Sequence, residues 1–273
     1  MATEQQVMHH YGSQGIAGRV LAALREAKGA DAPVTPEGLA PFDQFHGRGV
    51  VATEELVALL KPQAVERLLD IGSGIGGPAR WIAAKFGCRV TGVDLTPEFC
   101  AAAEALNAVT GLADRVTFLN GSALDLPVPD GAFDAAYSQN VIMNIADKRR
   151  FYREAFRALR AGGRLALSNL CAGAKGDPYY PVPWATTAET SFLATQDEMR
   201  ADLAAAGFEI AHFEDTTAAA VEMQRRARES GEPLRIAVQV IMGERARDMQ
   251  INTSRNVEEG RVATVEALVR KPA

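Results

Sequence analysis

Long apolar runs, paired cysteines and blocks of one charge are what this chain lacks. No stretch approaches the roughly 18 consecutive apolar residues of a membrane-spanning helix, so no stable membrane insertion is expected. The N-terminus is polar and carries no apolar signal-peptide core. Cysteine occurs three times in 273 residues, at Cys88, Cys100 and Cys171, with no CxxC spacing. An odd, scattered set excludes a disulfide framework and points to reduced, packed thiols of a cytoplasmic protein. The formal net charge is −5 and no Lys/Arg block stands out, which argues against a nucleic-acid partner. No His/Cys/Asp/Glu cluster has ligand spacing, so no metal is expected. Internal repeats and low-complexity tracts are missing too. What remains is an ordinary globular composition, 47% hydrophobic and 23% charged, long enough for one large domain or two small ones.

One stretch organises the rest. The apolar run Leu68-Leu69 passes through Asp70-Ile71 into Gly72-Ser73-Gly74-Ile75-Gly76-Gly77, and Pro78 then opens a helical pattern to Phe86. Proline suits a first helical turn, where its missing N–H costs nothing. The pattern is strand, glycine turn, helix N-terminus, which lets a ligand approach bare backbone and its N–H groups. Asp94 ends the next apolar run, Arg89-Val90-Thr91-Gly92-Val93. It lies about 20 residues past the first glycine, the place for a carboxylate that grips ribose hydroxyls. The ligand is therefore expected to be a nucleoside. The loop alone leaves two readings. Gly72, Gly74 and Gly77 satisfy GxGxxG, a dinucleotide pattern; Asp70, Gly72, Gly74 and Gly76 satisfy DxGxGxG, which suggests S-adenosylmethionine.

The spacing predicts a helix over 16–28, a Pro/Gly-rich connection over 31–41 and a helix over 50–60. Strands are expected at 66–71, 89–94, 115–119, 133–138, 164–169 and 208–213, with helices at 78–86 and from Thr96 to Gly111. A further helix carries Phe151, Ala155 and Leu159 on one face and stops at Ala161-Gly162-Gly163; another starts at a Thr195–Glu198 capping box. Residues 216–250 read as helical, broken near Ser230-Gly231-Glu232-Pro233, before a final strand from Val262 to Val269. Alternating strands and helices give an α/β, doubly wound, mostly parallel sheet. Three parts are expected: a helical cap (1–64), a cofactor-binding core (65–215 plus 260–273) and a helical insertion (216–259) that forms a lid or the face of a homodimer.

Segments downstream arbitrate between the two loop readings. Phe133-Asp134 before the fourth strand and Leu159-Arg160-Ala161-Gly162-Gly163-Arg164-Leu165 before the fifth resemble the FD and LxPGGxL signatures of class I S-adenosylmethionine-dependent methyltransferases. Ala161 stands where that family usually has proline. The resemblance covers about residues 65–215. Gly76-Gly77-Pro78-Ala79-Arg80 resembles its small-molecule group, which includes quinone C-methyltransferases, sarcosine/dimethylglycine N-methyltransferases and phosphoethanolamine methyltransferases. The resemblance implies a Rossmann-like sheet of seven strands with the last antiparallel. It implies S-adenosyl-L-methionine as cofactor and a small-molecule acceptor, first an amine nitrogen, second a quinone or prenyl carbon. A nicotinamide oxidoreductase is the rival, but no Tyr-x-x-x-Lys pair is present. A cofactor-binding regulatory protein on a methyltransferase scaffold is another.

By that resemblance Asp70 orders the loop and meets the methionine ammonium, with the loop backbone at Gly72, Ser73, Gly74 and Gly76 around it. Asp94 takes the ribose hydroxyls and Leu95 flanks the adenine. Gly121-Ser122-Ala123 replaces the family's Gly-Asp-Ala triplet, so Ser122 and Ala123 are the adenine contacts. Ser138, Gln139 and Asn140 end the fourth strand, where ligands gather in parallel sheets. Asn144 stands where phosphoethanolamine methyltransferases carry a catalytic histidine, as in the quinone branch, and an amide is no general base. Tyr11, after His10, resembles the N-terminal tyrosine that closes over the methyl site. Gln44 and His46 lie in a stretch that resembles the Asp-Gln-Phe-His of the N-methyltransferase branch, which implies substrate or carboxylate contact for His46 in the catalytic set and a place in the acceptor pocket for Gln44. Tyr179, Tyr180, Trp184 and Phe192 are expected to line the acceptor pocket, where aromatics hold a cation or stack on a planar group. His212 has no evident partner and is expected to be structural. Carboxylate walls would favour an amine acceptor, and wholly apolar walls a prenyl or quinone carbon.

Overall fold

The structure, a computed structural model, describes residues 2–230 and 236–273, residue 2 by its backbone alone. Among the described residues, four helices precede the sheet: α1 (Ala2–Tyr11), α2 (Ile16–Lys28), α3 (Pro36–Asp43) and α4 (Val50–Leu60). Helix α2 forms where the spacing predicts it and buries Ile16, Val20 and Leu24, one residue per turn. Residues 36–41, expected as part of a connection, are helical instead, in a helix that runs to Asp43. Thr35 Oγ1 accepts from Gly38 N at 3.0 Å and Pro36 fills the first turn, so a cap and a proline start outweigh the Pro/Gly composition. Helix α1 carries too weak an apolar stripe to be read from sequence; Val7 is its buried residue.

The alternating part follows as β1 (Arg67–Ile71), α5 (Gly77–Phe86), β2 (Arg89–Asp94), α6 (Pro97–Thr110), β3 (Val116–Asn120), β4 (Phe133–Gln139), α7 (Lys148–Ala158), β5 (Leu159–Ala172), α8 (Gln196–Ala205) and β6 (Glu209–Asp215). Then come α9 (Thr217–Glu229), α10 (Ile236–Met242), α11 (Ala246–Glu258) and β7 (Val262–Arg270). The sheet has seven strands in the order β3-β2-β1-β4-β5-β7-β6. Strands β1 to β5 pair in parallel, and β7 lies antiparallel between β5 and β6. The expected seven-stranded, doubly wound sheet is the observed one.

Because successive strand residues face opposite sides, Leu69, Ile71 and Ala136 join Phe151, Tyr152 and Leu203 under α7 and α8. Leu68, Ala135 and Tyr137 join Leu56, Ile82 and Phe118 on the other face. Of the 1–64 segment, α4 thus packs on the sheet itself, while α2 packs on α6 and α3, and α3 packs on α5; Leu24, Leu39, Phe42 and Leu106 share one apolar cluster. Helix α7 stops at Ala158, one turn short of the glycines; Leu159 is extended and pairs with Phe133. Its N-cap is Asp147, which accepts from Arg150 N at 2.9 Å. The Thr195–Glu198 capping box is present. The helical stretch expected over 216–250 runs on to Glu258, and Gly231 to Pro233 of its expected break lie outside the described residues. Among the described residues, no helix is long and apolar enough to cross a membrane.

Candidate functional site

From β1 the sheet grows outward in both directions, to β2 and β3 on one side and to β4 and β5 on the other. A crevice opens at such a switch point, outside the carboxyl ends of the strands. Here it is a cavity of about 1600 Å³. The glycine loop, Asp70, Asp94, Leu95, Ser122, Ala123, Gln139 and Asn140 line it from the sheet. Tyr11, Gln44 and His46 line it from the N-terminal segment, and Asn144 and Trp184 from beyond β4 and β5. Helices α9, α10 and α11 cover it through Ala220, Met223, Val238 and Val257.

Two glycines of the loop do different work. At Gly72, φ is +80° and an added Cβ would fall 2.3 Å from Val141 Cγ2. At Gly74, φ is +54° and an added Cβ would meet nothing within 4 Å, because that position faces the cavity. Gly72→Ala is therefore expected to lose about 2–4 kcal/mol by urea unfolding, left-handed strain plus overpacking. Gly74→Ala should lose only about 1–2 kcal/mol, the strain alone. Equal losses would contradict this division.

Asp94 sits at the tip of β2, half-buried. Its Oδ2 accepts from Gly74 N at 2.8 Å and its Oδ1 from Thr96 N at 2.9 Å. Burial pushes its pKa up, against those two N–H bonds. Each oxygen keeps a lone pair for a ligand hydroxyl. Asp70, buried beneath the loop, accepts from Tyr137 Oη at 3.0 Å. Burial pushes it up to about 8, the Tyr137 bond works the other way, and the charge of Asp94 adds to the rise.

Opposite the loop, Thr53 Oγ1 donates to Gln44 Oε1 at 2.7 Å and lies 3.1 Å from His46 Nε2. His46 Nε2 is 2.9 Å from Gln44 Oε1. Gln139 Oε1 joins this cluster at 3.4 Å from Thr53. Buried polar atoms are rarely left without partners, yet Ser73 Oγ, Gln44 Nε2 and Gln139 Nε2 are, and all three residues line the cavity. A ligand with acceptor oxygens would satisfy them.

Tyr11 and Asn144 come together although 133 residues apart: Tyr11 Oη donates to Asn144 Oδ1 at 3.0 Å. Asn144 Nδ2 donates to Trp184 O at 2.7 Å and Thr190 O at 2.9 Å. Asn144 closes a 3₁₀ turn and is not a helix cap. Burial raises Tyr11 above the ordinary phenol range, with Asp94 adding to it. Phe45 and Phe99 pack around its ring at 6.1 and 5.6 Å. His10 lies 3.0 Å from Pro183 O and 3.1 Å from Thr186 Oγ1, and burial lowers its pKa.

Other expected residues lie elsewhere. Tyr179 sits outside the cavity between the guanidinium groups of Arg255 and Arg261, and its hydroxyl donates to Glu259 at 3.0 Å. Tyr180 packs with Trp184 and Val182 behind the wall. Phe192 anchors its loop by backbone: its N donates to Met143 O at 2.7 Å and its O accepts from Lys148. Ser138 Oγ donates to Ile71 O at 2.8 Å inside the sheet, and Gly76 packs on Phe118, so neither faces the cavity. His212 lies 3.3 Å from Glu214. Burial holds the three cysteine thiols above their usual range, Cys88 and Cys100 at about 11 and Cys171 at about 12. No group of three metal-ligating side chains occurs among the described residues.

Sequence reasoning missed three features. Arg80, fully buried, pairs with Asp43 at 2.9 Å and also donates to Ile75 O of the loop at 2.7 Å. Thr53 ties Gln44 to His46. Glu4 Oε1 accepts from Ser122 Oγ. The first had a faint signal, an arginine amid apolar helix residues; the other two depend on tertiary approach.

A family model described as a methyltransferase domain matches residues 69–167. The tocopherol O-methyltransferase (chloroplastic) of Arabidopsis thaliana is 36% identical over 107 residues, 39% of this chain and 31% of that one. The sarcosine/dimethylglycine N-methyltransferase of Halorhodospira halochloris is 30% identical over 150 residues, 55% of this chain and 54% of that one. The chain spans less than two thirds of the length of these curated relatives. The geranyl diphosphate C-methyltransferase of Streptomyces coelicolor A3(2) superposes with a TM-score of 0.71 over 99% of this chain and 98% of that one, at 17% identity, a likeness of fold. With this strand order and glycine loop, residues 69–167 are similar to a methyltransferase domain, a match that covers less than half of the chain.

Proposed function

We propose that this chain transfers a methyl group from S-adenosylmethionine to a bulky, largely apolar small-molecule acceptor. The observation that carries the reading is the Asp94 carboxylate, clamped by Gly74 N and Thr96 N at the rim of the cavity beside a glycine with open space before it. In this reading Asp94 holds the ribose. Asp70 meets the ammonium, and the unpartnered Ser73 Oγ, Gln44 Nε2 and Gln139 Nε2 meet acceptor oxygens of the amino-acid end. The cofactor supplies a methyl already activated on a sulfonium. The protein's share is to align the acceptor and exclude water, and orientation of that kind is worth about 7–11 kcal/mol in well-placed systems. Tyr11 stays protonated and Asn144 cannot take a proton, so the pair positions the acceptor and no strong base is assigned.

The cavity exceeds the roughly 300–1,000 Å³ of a typical ligand site, which leaves room for an acceptor beside the cofactor. Among the described residues, its wall on α9–α11 includes no Asp or Glu; its charged groups there are Arg226 and Arg228, beside the apolar Ala220, Met223, Val238 and Val257. That favours a carbon or oxygen on an apolar frame over a charged amine; an amine acceptor would enter uncharged. We assign α9–α11 to the lid for the same reason, since they line the cavity. The test is titration with S-adenosylhomocysteine beside NADH, then label transfer from methyl-labelled cofactor to prenyl or quinone acceptors and to sarcosine. Binding of NADH alone would overturn the cofactor, and label on sarcosine alone the acceptor.

The raised pKa of Asp70 gives this reading a pH signature. Below about pH 8 the free acid holds a proton. A cation seated beside it lowers its pKa and expels that proton. Affinity for S-adenosylmethionine should therefore climb as pH rises toward 8. It should then fall as the ligand's own α-ammonium, near pKa 7.7–8.0 in reference compounds, deprotonates. Calorimetry at pH 7 in buffers of different ionisation heat should show proton release on binding, lost in Asp70→Asn. Release unchanged in that variant would remove Asp70 from the ligand.

A further inference from the structure

We propose that Glu4, carried by the N-terminal helix α1, is the residue that selects adenine at the far end of the crevice, by accepting from the exocyclic amine. The inference rests on the cofactor reading above. Strand order sets the direction of the ligand. With its amino-acid end over β1 and β4 and its sugar on Asp94 at the tip of β2, the base must point on toward β3 and the loop that follows it. Glu4, Leu95, Ser122 and Asp125 line the cavity there.

The hydrogen bonds at that end have one polarity. Ser122 Oγ accepts from Leu124 N at 3.0 Å and gives its single proton to Glu4 Oε1. What hydroxyl and carboxylate then present to a ligand is acceptor capacity only. An amine on the purine ring, which carries two hydrogens, finds partners. A carbonyl at the same ring position meets a carboxylate and no side-chain proton from this pair. Helix α1 brings Glu4 into place because its other end is also tied across the crevice, Tyr11 to Asn144 at 3.0 Å and His10 to Pro183 O at 3.0 Å. The base selector and the residue over the methyl site thus share one helix. Asp125 is the competing acid, but its side chain is exposed at the rim.

The test compares S-adenosylhomocysteine with S-inosylhomocysteine, in which a carbonyl replaces the amine, by calorimetry on the full chain. The wild type should prefer the adenosyl compound by about tenfold or more, the worth of a bond to a charged group. Glu4→Gln puts an amide donor where only acceptors stood, so the preference should collapse or reverse, while Asp125→Asn should keep it. Equal weakening of both ligands by Glu4→Gln would make Glu4 a tether for α1 and overturn the proposal. So would collapse of the preference in Asp125→Asn alone. Failure of the wild type to bind either compound would instead strike the cofactor reading on which the proposal stands.

Discussion

Arg80→Met should destabilise the protein by about 3–5 kcal/mol, the cost of leaving one partner of a buried ion pair alone. Arg80 has no exposed surface, and the Asp43 side chain is 1% exposed. Beyond the 2.9 Å pair, the guanidinium donates to Ile75 O at 2.7 Å and to Ala103 O at 3.1 Å. Methionine restores the volume but none of these bonds. Asp43 would be left with both oxygens unpartnered, since Oδ1 already lacks a hydrogen bond. Burial pushes the Asp43 pKa up and Arg80 opposes it, so in the variant Asp43 would take a proton to escape an isolated charge. Urea unfolding measures the loss. Adding Asp43→Leu to Arg80→Met should recover much of it, because an apolar pair leaves no stranded charge. A loss below about 1 kcal/mol in Arg80→Met would mean water reaches the site and the pair behaves as a surface one.

That pair also marks what the sequence could and could not disclose. The strand-loop-helix core was legible because each element has its own local signal: a glycine turn, a proline in the first helical turn, an aspartate at a strand tip, a capping box. Asp70, Gly74 and Asp94 follow from those signals, and the structure brings them to one cavity. The N-terminal segment has no such period. Helix α1 is polar along most of its length, and α3 is hidden by Pro36, Gly38 and Pro41. What fixes both is contact with parts of the chain far away: Asp43 with Arg80, Glu4 with Ser122, Tyr11 with Asn144. The aromatic loop misled for the opposite reason. Tyr179, Tyr180 and Phe192 look like pocket walls by composition, but arginines flank Tyr179, Tyr180 packs with Trp184, Phe192 is held through its backbone, and none of the three lines the cavity.

Asp94→Ala should weaken S-adenosylhomocysteine about tenfold to a hundredfold with the fold intact, as loss of charge-assisted bonds implies. Asp94 contributes twice: it offers lone pairs to a ligand, and it holds Gly74 N and Thr96 N in place. Alanine removes both contributions. Asparagine keeps one acceptor oxygen but replaces the other by an amide NH2 group, a donor that cannot accept from an N–H. Affinity should therefore fall in the order wild type, Asp94→Asn, Asp94→Ala. Stability should move the other way or stay level, because the wild type keeps a half-buried acid whose pKa desolvation raises. Calorimetric titration gives the affinities and thermal unfolding without ligand gives the stabilities. A variant that loses binding and fold together would assign Asp94 to the loop alone. Unchanged affinity in Asp94→Ala would remove the carboxylate from the ligand and, with it, the observation that carries the proposed function.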